Sequence, residues 1–356
     1  MNFPSIIVTL CLAAILSTAG CKSAPSTSAT GNNDSTTVAY SFVVLGCNRV
    51  DKADTNLIAN PSTANLEQFN RTMTEIAAMS PKPSYVFFAG DMVFGYTNDS
   101  LSLAKQLLAW KALYEASPVK AAGITMVAIP GNHEMQNQSK IAYPAAENAW
   151  LSIMSPYIVG SNGPKAGGLD SLVTDQSALT YSFNFNDAHF VIMNTDPVGR
   201  DFRPASNWIA SDVAAAKTAG AKHIFAIGHK PGYAYNYATG GVDGLNKFPA
   251  NRDIFWSALE NNKAEAMFAA HNHIPKHFSP NNKTSMVIAG NGGSILETAD
   301  IAATEKYFGY TVVTVYKSGK VVVRSMGRDI PAAGYMTSAT VALYPTTMRD
   351  SAVISW

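Results

Sequence analysis

Short apolar runs alternate with stretches of helical spacing along the first half of the chain. The apolar runs predict strands at residues 40–45, 85–89 and 125–129. Between them, apolar residues recur every three or four positions, which predicts helices over residues 65–79 and 101–116. Short buried strands separated by helices are typical of βαβ units. The pattern therefore predicts an α/β domain with a mostly parallel sheet.

The second half of the chain repeats this alternation with more strands. Further strands are predicted at residues 179–185, 189–194, 223–227, 264–269, 285–289, 310–316 and 321–325, and helices at 208–219 and 250–261. Residues 160–176 are rich in Gly and Ser, which predicts an irregular insertion. No linker composition interrupts residues 40–326. We therefore predict one folded domain, residues 39–330, and a C-terminal extension, residues 331–356, that packs on it.

The N-terminus has the pattern of an export signal. Residues 6–16 form an apolar run that is too short to span a bilayer, and small residues lead from it to Cys21. This resembles the lipobox of bacterial lipoproteins, in which the cysteine is lipidated and becomes the mature N-terminus. Two features depart from it, since no Lys or Arg precedes the run and Thr18 replaces the commoner Leu. An ordinary cleaved signal is the alternative.

These features predict the protein's location. We expect a signal peptide over residues 1–20 and a flexible tether over residues 21–38, which are rich in Ser, Thr, Ala, Gly and Asn. The mature protein would be exported and anchored in the membrane through Cys21, facing the periplasm or the cell exterior. Only Cys47 then remains for the mature domain, so no disulfide between mature cysteines is expected.

Composition excludes several classes of protein. Of the 356 residues, 47% are hydrophobic and 14% are charged. This composition supports a sizeable core and is not that of a wholly disordered chain. The net charge of +1 gives no broad electrostatic footprint, so we expect no nucleic-acid partner.

Metal-ligand residue types follow the predicted strands in a fixed order. Asp91, Asn132, His229 and His271 each come shortly after a strand, and His273 completes an H-x-H pair. In open α/β sheets, ligand groups gather at the carboxyl ends of strands. Each motif alone is weak, because a Gly-Asp pair is usually a turn and an Asn-His pair is usually a turn or a helix cap. Their joint order predicts a shared site.

Carboxylate, amide oxygen and imidazole form a mixed oxygen and nitrogen ligand set. Such a set suits Zn, Mn, Fe or Co rather than Ca or Mg alone. Two metals about 3.5–4 Å apart can clamp a phosphoryl group and generate a hydroxide near neutral pH. Asp91 is suited to bridge them because its two oxygens can face different ions. We therefore expect two divalent metal ions as cofactors and a small-molecule phosphate ester as substrate.

These motifs resemble those of the calcineurin-like metallophosphoesterases, over residues 41 to about 325. The resemblance rests on four motifs, Gly90-Asp91, Gly131-Asn132-His133-Glu134, Gly228-His229 and His271-Asn272-His273. It implies a four-layer α/β/β/α sandwich of two mixed sheets flanked by helices, with the C-terminal strands completing the second sheet. It also implies hydrolysis of phosphomonoesters or phosphodiesters by attack of a metal-bound hydroxide.

The resemblance also implies a role for each motif residue. Asp91 would bridge both metals, and His273 would join the first metal. The second metal would be held by three side chains, Asn132, His229 and His271. His133 would act as general acid for the leaving oxygen or stabilise the transition state. Glu134 is expected to be a structural hydrogen-bond partner rather than a general base.

The first motif departs from the family pattern. The family usually has D-x-H there, whereas this chain has Cys47 and Arg49 at those two positions. Arginine cannot ligate a metal because it stays protonated, while cysteine can ligate as a thiolate. Three interpretations are open. Cys47 binds a metal and Arg49 grips the substrate phosphate; or the first metal is weak or absent and Arg49 supplies the missing charge; or the site binds without turnover. Cys47 could equally be a small buried hydrophobe.

Two classes of function follow from the motifs. The first is a metal-dependent phosphoric ester hydrolase that acts outside the cytoplasm. The second is a non-catalytic phosphate- or metal-binding lipoprotein on the same fold. The loops at residues 136–176 and 232–248 are expected to form the pocket and to set specificity. No G-x-S-x-G motif supports a serine nucleophile, and Cys47 has no identifiable partner base in the sequence.

Overall fold

The computed structural model describes residues 36–49, 66–294, 296–297, 302–329 and 344–356. The predicted signal peptide, the predicted anchor Cys21 and nearly all of the predicted tether lie outside these residues. Among the described residues, no helix combines the length and the apolar character needed to cross a membrane.

The described residues form strands and helices that alternate along most of the chain. The strands are β1 (Val38–Leu45), β2 (Tyr85–Ala89), β3 (Thr125–Ile129), β4 (Tyr181–Phe185), β5 (Ala188–Met193), β6 (His223–Gly228), β7 (Ala266–Ala269), β8 (Pro275–Phe278), β9 (Ser285–Ala289), β10 (Tyr307–Tyr316), β11 (Val321–Asp329) and β12 (Thr347–Val353). The α-helices are α1 (Leu66–Ala77), α2 (Ser100–Glu115), α3 (Pro118–Ala121), α4 (Asn132–Met135), α5 (Pro144–Met154), α6 (Ser206–Thr218) and α7 (Pro249–Asn261).

The strands pair into two sheets, each of which mixes parallel and antiparallel neighbours. The first sheet has the order β12-β11-β10-β1-β2-β3, in which β1, β2 and β3 are parallel and the remaining pairs are antiparallel. The second has the order β4-β5-β6-β7-β9-β8, with β5, β6, β7 and β9 parallel and the two edge strands antiparallel. Two mixed sheets with a parallel centre are therefore confirmed.

Three apolar clusters stack the sheets and helices into layers. Between the sheets, the ring of Phe42 on β1 lies 5.3 Å from that of Phe190 and 5.1 Å from that of Phe225. Side chains alternate along a strand, so the next residue, Val43, faces the other side, where α1, α2 and α5 pack. Helices α6 and α7 cover the outer face of the second sheet. The α/β/β/α sandwich implied by the resemblance is therefore confirmed.

The C-terminal strands join the first sheet, so the expectation that they complete the second sheet was wrong. Strand β10 pairs antiparallel with β1, with Val312 opposite Val43. The reason is that β2 occupies only one edge of β1, and β10, which is buried along nearly its whole length, covers the other edge. Strand β12, from within residues 331–356, then pairs with β11.

The segment 136–176 contains a helix, α5, where only loops were expected. Pro144 stands at its start, where a missing backbone N–H breaks no helical hydrogen bond. Ala146, Trp150 and Met154 recur every fourth residue and are buried, so they form the face that packs against α2. The stretch 160–176 that follows is irregular, as predicted.

Candidate metal centre

The predicted ligand residues stand at the carboxyl ends of parallel strands from both sheets. Asp91 follows β2 and Asn132 begins α4 just after β3, both in the first sheet. His229 follows β6 and His271 follows β7, both in the second sheet. Strand ends of the two sheets therefore deliver side chains from distant parts of the sequence to one place.

The loops that carry these residues adopt unusual backbone conformations. Cys47, Arg49, Asp91 and His271 have φ angles between 50° and 63°, in the left-handed region. Such conformations cost of order 1–3 kcal/mol each and cluster at active sites and ligand clamps. Gly90 has φ 84°, and a Cβ atom there would lie 2.6 Å from Nδ1 of His229. Only glycine allows β2 to end this close to that ring.

The buried carboxylate of Glu134 holds two of these loops together. Its Oε2 accepts the backbone N–H groups of Gly131 at 2.8 Å and Asp91 at 3.0 Å. Its Oε1 accepts those of Met92 at 2.7 Å and Val93 at 3.1 Å. Burial and the neighbouring Asp91 raise the pKa of Glu134 to about 7, whereas the N–H donors favour its ionised form. The structural role expected for Glu134 is therefore confirmed.

Four side-chain atoms converge beyond these loops. They are Oδ1 of Asp91, Oδ1 of Asn132, Nε2 of His229 and Nδ1 of His271. Nε2 of His229 lies 2.8 Å from the Asn132 oxygen and 3.1 Å from the Asp91 oxygen. Nδ1 of His271 lies 2.9 Å from the Asn132 oxygen and 3.3 Å from Nε2 of His229. We call these atoms the four-atom cluster.

The second ring nitrogen of each histidine has its own acceptor. Nδ1 of His229 lies 2.7 Å from the carbonyl oxygen of Ala89, and Nε2 of His271 lies 3.1 Å from Oδ1 of Asp243. When each imidazole is neutral and carries its proton on the outer nitrogen, the nitrogen in the cluster keeps its lone pair. All four converging atoms are then acceptors, an arrangement that a cation satisfies.

The spacing of the four-atom cluster fits a metal ion. Bonds of about 2.0–2.2 Å to nitrogen and oxygen place neighbouring ligands roughly 2.8–3.6 Å apart, the lower end for octahedral and the upper end for tetrahedral coordination. The four contacts that join these atoms measure 2.8–3.3 Å: three centre on Nε2 of His229, and the fourth joins His271 to Asn132. Their mixed oxygen and nitrogen chemistry suits Zn, Mn, Fe or Co. The residues present therefore fit one bound cation at this position.

The electrostatics of the cluster also favour a positive charge. Burial opposes ionisation of Asp91, but His133, His229 and Arg49 together hold the pKa of its carboxyl well below the usual range. Burial likewise opposes a charge on His229, yet the Asp91 carboxylate raises the pKa of that imidazole above its ordinary value. A site that stabilises a proton on a buried imidazole also stabilises a metal cation in its place.

Cys47 lies beside the cluster as a fully buried thiol. Its Sγ accepts the backbone N–H of His271 at 3.1 Å and lies 4.0 Å from Oδ2 of Asp91. Burial, and after it the Asp91 carboxylate, raises the pKa of the Cys47 thiol well above its usual value. The same side chain belongs to the apolar cluster between the sheets. The Cys47 thiol thus lies within 4.8 Å of possible ligand atoms of Asp91 and His273.

Arg49 lies on the same side of the cluster and is bonded to three side chains. Its Nη2 lies 2.6 Å from Nε2 of His273, its Nη1 lies 3.4 Å from Nε2 of His133, and its Nε donates to Oγ of Ser294 at 3.1 Å. Cys47, Asp91 and His273 offer a second set of possible ligand atoms, within 4.8 Å of one another. Nη2 of Arg49 thus contacts one member of this second set, His273.

His133 lies between Arg49 and a tyrosine ring. Its Nδ1 is 2.5 Å from the carbonyl oxygen of Phe94, so Nδ1 donates and Nε2 is the acceptor. The Tyr96 ring lies 3.9 Å from the His133 ring, centre to centre. Burial, opposed by Asp91 and supported by Arg49, lowers the pKa of His133 to about 3. Nε2 of the imidazole therefore faces Arg49.

The structure brings together every residue named from the sequence as a ligand or catalytic candidate. Direct contacts link Cys47, Arg49, Asp91, Asn132, His133, His229, His271 and His273. Their convergence is a structural finding, whereas the role of each in metal binding or catalysis remains a prediction.

Three further contributors were not identified from the sequence. Asp243 bonds His271, and Tyr96 accepts a hydrogen bond from the amide of Asn132 through its hydroxyl. Lys230 directly follows His229, and its Nζ lies 2.5 Å from Oδ1 of Asp196, with both side chains fully buried. Lys230 could have been identified from the sequence, because it directly follows a predicted ligand. Asp243 lies in the loop 232–248 that was expected to form the pocket, but nothing in the sequence singled out this residue, and the loop of Tyr96 gave no signal.

The fold and the site define a metallophosphoesterase-like protein. The family model described as calcineurin-like phosphoesterase matches residues 43–275, and the chain belongs to this family. A purple acid phosphatase from yellow lupin (Lupinus luteus) seeds has a similar fold, with a TM-score of 0.58 and 17% identity. The match covers 89% of this chain but 53% of the lupin chain, so this chain spans about half the length of that relative.

A second solved structure matches over its whole length. A dimetal phosphatase from Danio rerio has a TM-score of 0.52 and 10% identity, and the match covers 89% of this chain and 99% of that one. At these identities the likeness shows the fold alone. No curated protein sequence matches the chain.

Proposed function

We propose that this protein is a metal-dependent hydrolase of small phosphomonoesters or phosphodiesters. The observation that carries the proposal is the four-atom cluster of acceptors beside the fixed guanidinium of Arg49. Metal-ligand groups next to a permanent cation suit a substrate with a negatively charged phosphoryl group. Membership of the calcineurin-like phosphoesterase family supports the same reaction class.

The four-atom cluster would hold a divalent cation, with Zn, Mn, Fe and Co as the fitting metals. A bound cation of this kind supplies Lewis-acid polarisation of a phosphoryl oxygen and lowers the pKa of water. Asp91 contributes the only carboxylate among the four atoms, and its ionisation is secured by His229 and Arg49. Asn132 is oriented through its amide, which donates to the Tyr96 hydroxyl.

Arg49 would bind the phosphoryl group of the substrate. A guanidinium has five N–H donors in a planar fork, more than its three side-chain partners require. It recognises phosphate oxygens by charge-assisted hydrogen bonds, which are stronger than bonds between neutral groups. Its position is fixed before substrate binds, so binding requires little reorganisation.

His133 would act at the leaving-group side. In the structure its Nε2 is an acceptor, and its pKa is lowered to about 3. It can therefore donate a proton only after acquiring one, which the negative charge of an arriving phosphate ester favours. In this proposal a protonated His133 passes that proton to the leaving oxygen.

The proposed place of action is outside the cytoplasm, with the chain anchored through a lipid on Cys21. The support is the apolar run, the small residues and the single cysteine in the sequence. Replacing Cys21→Ser and fractionating bacterial cells tests it. We expect wild type in the membrane fraction and the variant released from it, and equal release of both would contradict lipid anchoring.

Elemental analysis and a phosphate-ester panel test the enzymatic proposal. The purified protein should retain at least one divalent metal per chain and hydrolyse a generic aryl phosphate. Asp91→Asn should lower both metal content and turnover, whereas the matched change of exposed Asp350→Asn should alter neither. Metal binding without turnover on any ester would instead support the non-catalytic binding protein, and wild-type metal loading in Asp91→Asn would refute the ligand role.

A further inference from the structure

The guanidinium of Arg49 lies where a second cation would need its ligands. Apart from the four-atom cluster, Cys47, Asp91 and His273 have possible ligand atoms within 4.8 Å of one another. Nη2 of Arg49 lies 2.6 Å from Nε2 and 3.0 Å from Nδ1 of His273. A neutral imidazole has one lone pair to offer, to a donor or to a metal. His273 therefore cannot bind both Arg49 and an ion.

The surrounding loops fix the guanidinium in this position. Nε of Arg49 donates to Oγ of Ser294 at 3.1 Å, and its backbone N–H donates to the carbonyl oxygen of Asp91 at 2.7 Å. Ser294 is fully buried, and its own N–H donates to the carbonyl oxygen of Cys47 at 2.8 Å. Hydrogen bonds of both the side chain and the backbone of Arg49 thus hold the guanidinium in place.

A second divalent cation here would also meet a like charge and a poor ligand. Arginine does not release its proton in proteins, and two positive charges within a few ångströms repel strongly in a buried site. The remaining side chain, Cys47, is a buried thiol that already accepts the N–H of His271.

We propose that this chain holds one divalent cation, at Asp91, Asn132, His229 and His271, and that the guanidinium of Arg49 takes the place of a second. The inference rests on the metal binding in the proposed function but not on turnover. It departs from the two ions that the resemblance implied. One of the two positive charges facing the substrate then belongs to the chain itself and does not depend on metal supply.

Metal stoichiometry tests this inference. Protein stripped of metal is reloaded with Mn²⁺, the bound ions are counted by elemental analysis, and electron paramagnetic resonance distinguishes isolated from spin-coupled ions. We expect one isolated ion per wild-type chain. The double variant Cys47→Asp/Arg49→His supplies a carboxylate and an imidazole, and we expect two coupled ions in it. Two coupled ions in the wild type, or one isolated ion in the folded double variant, would overturn the proposal.

Two further variants serve as a control and as a safeguard against misfolding. Cys47→Asp keeps the guanidinium and should stay at one ion, so two ions in it would count against the proposal. Cys47→Asp/Arg49→Gln supplies the carboxylate and removes the charge at similar size, so it should bind more than one Mn²⁺; a single ion in the folded chain would overturn the proposal even if Cys47→Asp/Arg49→His does not fold. A wild-type chain without any ion would contradict the proposed function. A wild-type chain that binds one ion but does not turn over any ester would contradict the proposed hydrolysis and leave the proposal of a single cation standing.

Discussion

The carboxylate of Asp243 lies 3.1 Å from Nε2 of His271, on the ring edge opposite the four-atom cluster. Its other oxygen accepts the side-chain amide of Asn272 at 2.6 Å. The pKa of Asp243 is lowered: burial opposes this, but the bonds to His271, the backbone of Gly244 and Asn272 prevail. This carboxylate therefore fixes which nitrogen of His271 faces the cluster, a relationship found behind many metal-binding histidines.

Asp243→Asn should weaken metal binding without abolishing it. The amide can present its NH₂ group to His271, which disfavours the tautomer that leaves Nδ1 free to bind. Loss of such a partner costs about 10–100-fold in metal affinity. Competition with a metal-sensitive dye measures the change in Kd. The exposed residue Asp253 provides the control variant Asp253→Asn, which should match wild type. Equal affinities in all three proteins would exclude this role.

Glu134→Gln should destabilise the protein and reduce its metal content. A glutamine side chain has one acceptor oxygen, so its NH₂ group would face two of the four backbone N–H groups that Glu134 accepts. Each buried donor left unsatisfied costs about 1–3 kcal/mol, so we expect a loss of roughly 2–6 kcal/mol for the two. Urea unfolding of the metal-free protein measures it.

The half-exposed Glu67 of α1 gives a matched control for that variant. Glu67→Gln should change the free energy of unfolding by less than about 0.5 kcal/mol, as surface substitutions usually do. If Glu134→Gln were as stable as Glu67→Gln, the carboxylate would not be the group that ties the two loops together.

The sequence predicted the architecture because local patterns determine it. Strand β3 and strand β9 have the predicted bounds, since each is a compact apolar run between polar turns. Strand β12 was not predicted, because its residues 347–353 are mostly exposed and carry no apolar alternation. Its position depends on the free edge of β11, which no local pattern reveals.

Part of the candidate site could likewise be predicted from local sequence patterns, and part could not. Asp91, Asn132 and His229 were found because each closes a short motif at a strand end. The contact between Arg49 and His273 joins residues 224 positions apart and depends on how two loops meet. Motif comparison named Arg49 as a departure but left three interpretations open. The geometry favours the one in which Arg49 supplies positive charge.

His277 should make the protein less stable at mildly acidic pH. Burial lowers its pKa below the ordinary value of about 6.5, with Asp350 opposing, and its Nε2 lies 3.2 Å from Oγ of Ser285. Below pH 6.5 the unfolded chain therefore binds more protons than the folded chain, so stability falls as the pH drops through this window. Lys276 and Glu305, which lie nearby, pair with each other at 2.5 Å.

The variant His277→Gln tests that pH dependence. Glutamine can keep a hydrogen bond to Ser285 but does not titrate, so its Tm should fall less than that of wild type between pH 6.5 and 5. Both proteins are measured with saturating metal, so that the histidines of the four-atom cluster stay bound. Parallel Tm curves for the two proteins would show that His277 does not titrate in this range.

Lys230, next to His229 in the sequence, forms a buried ion pair with Asp196. Removing one partner of this pair should destabilise the protein more than removing both. Nζ of Lys230 lies 2.5 Å from Oδ1 of Asp196, and the ring of Phe202 lies beneath the ammonium group. Lys230→Met leaves a buried carboxylate without its cation, which costs about 3–5 kcal/mol. Asp196→Asn/Lys230→Met removes both charges and should recover part of that loss, because the asparagine can still accept the backbone N–H of Phe202. Guanidinium unfolding of the metal-free proteins measures both variants. A double variant less stable than Lys230→Met would show that Asp196 stabilises its loop through its neutral hydrogen bonds rather than through Lys230.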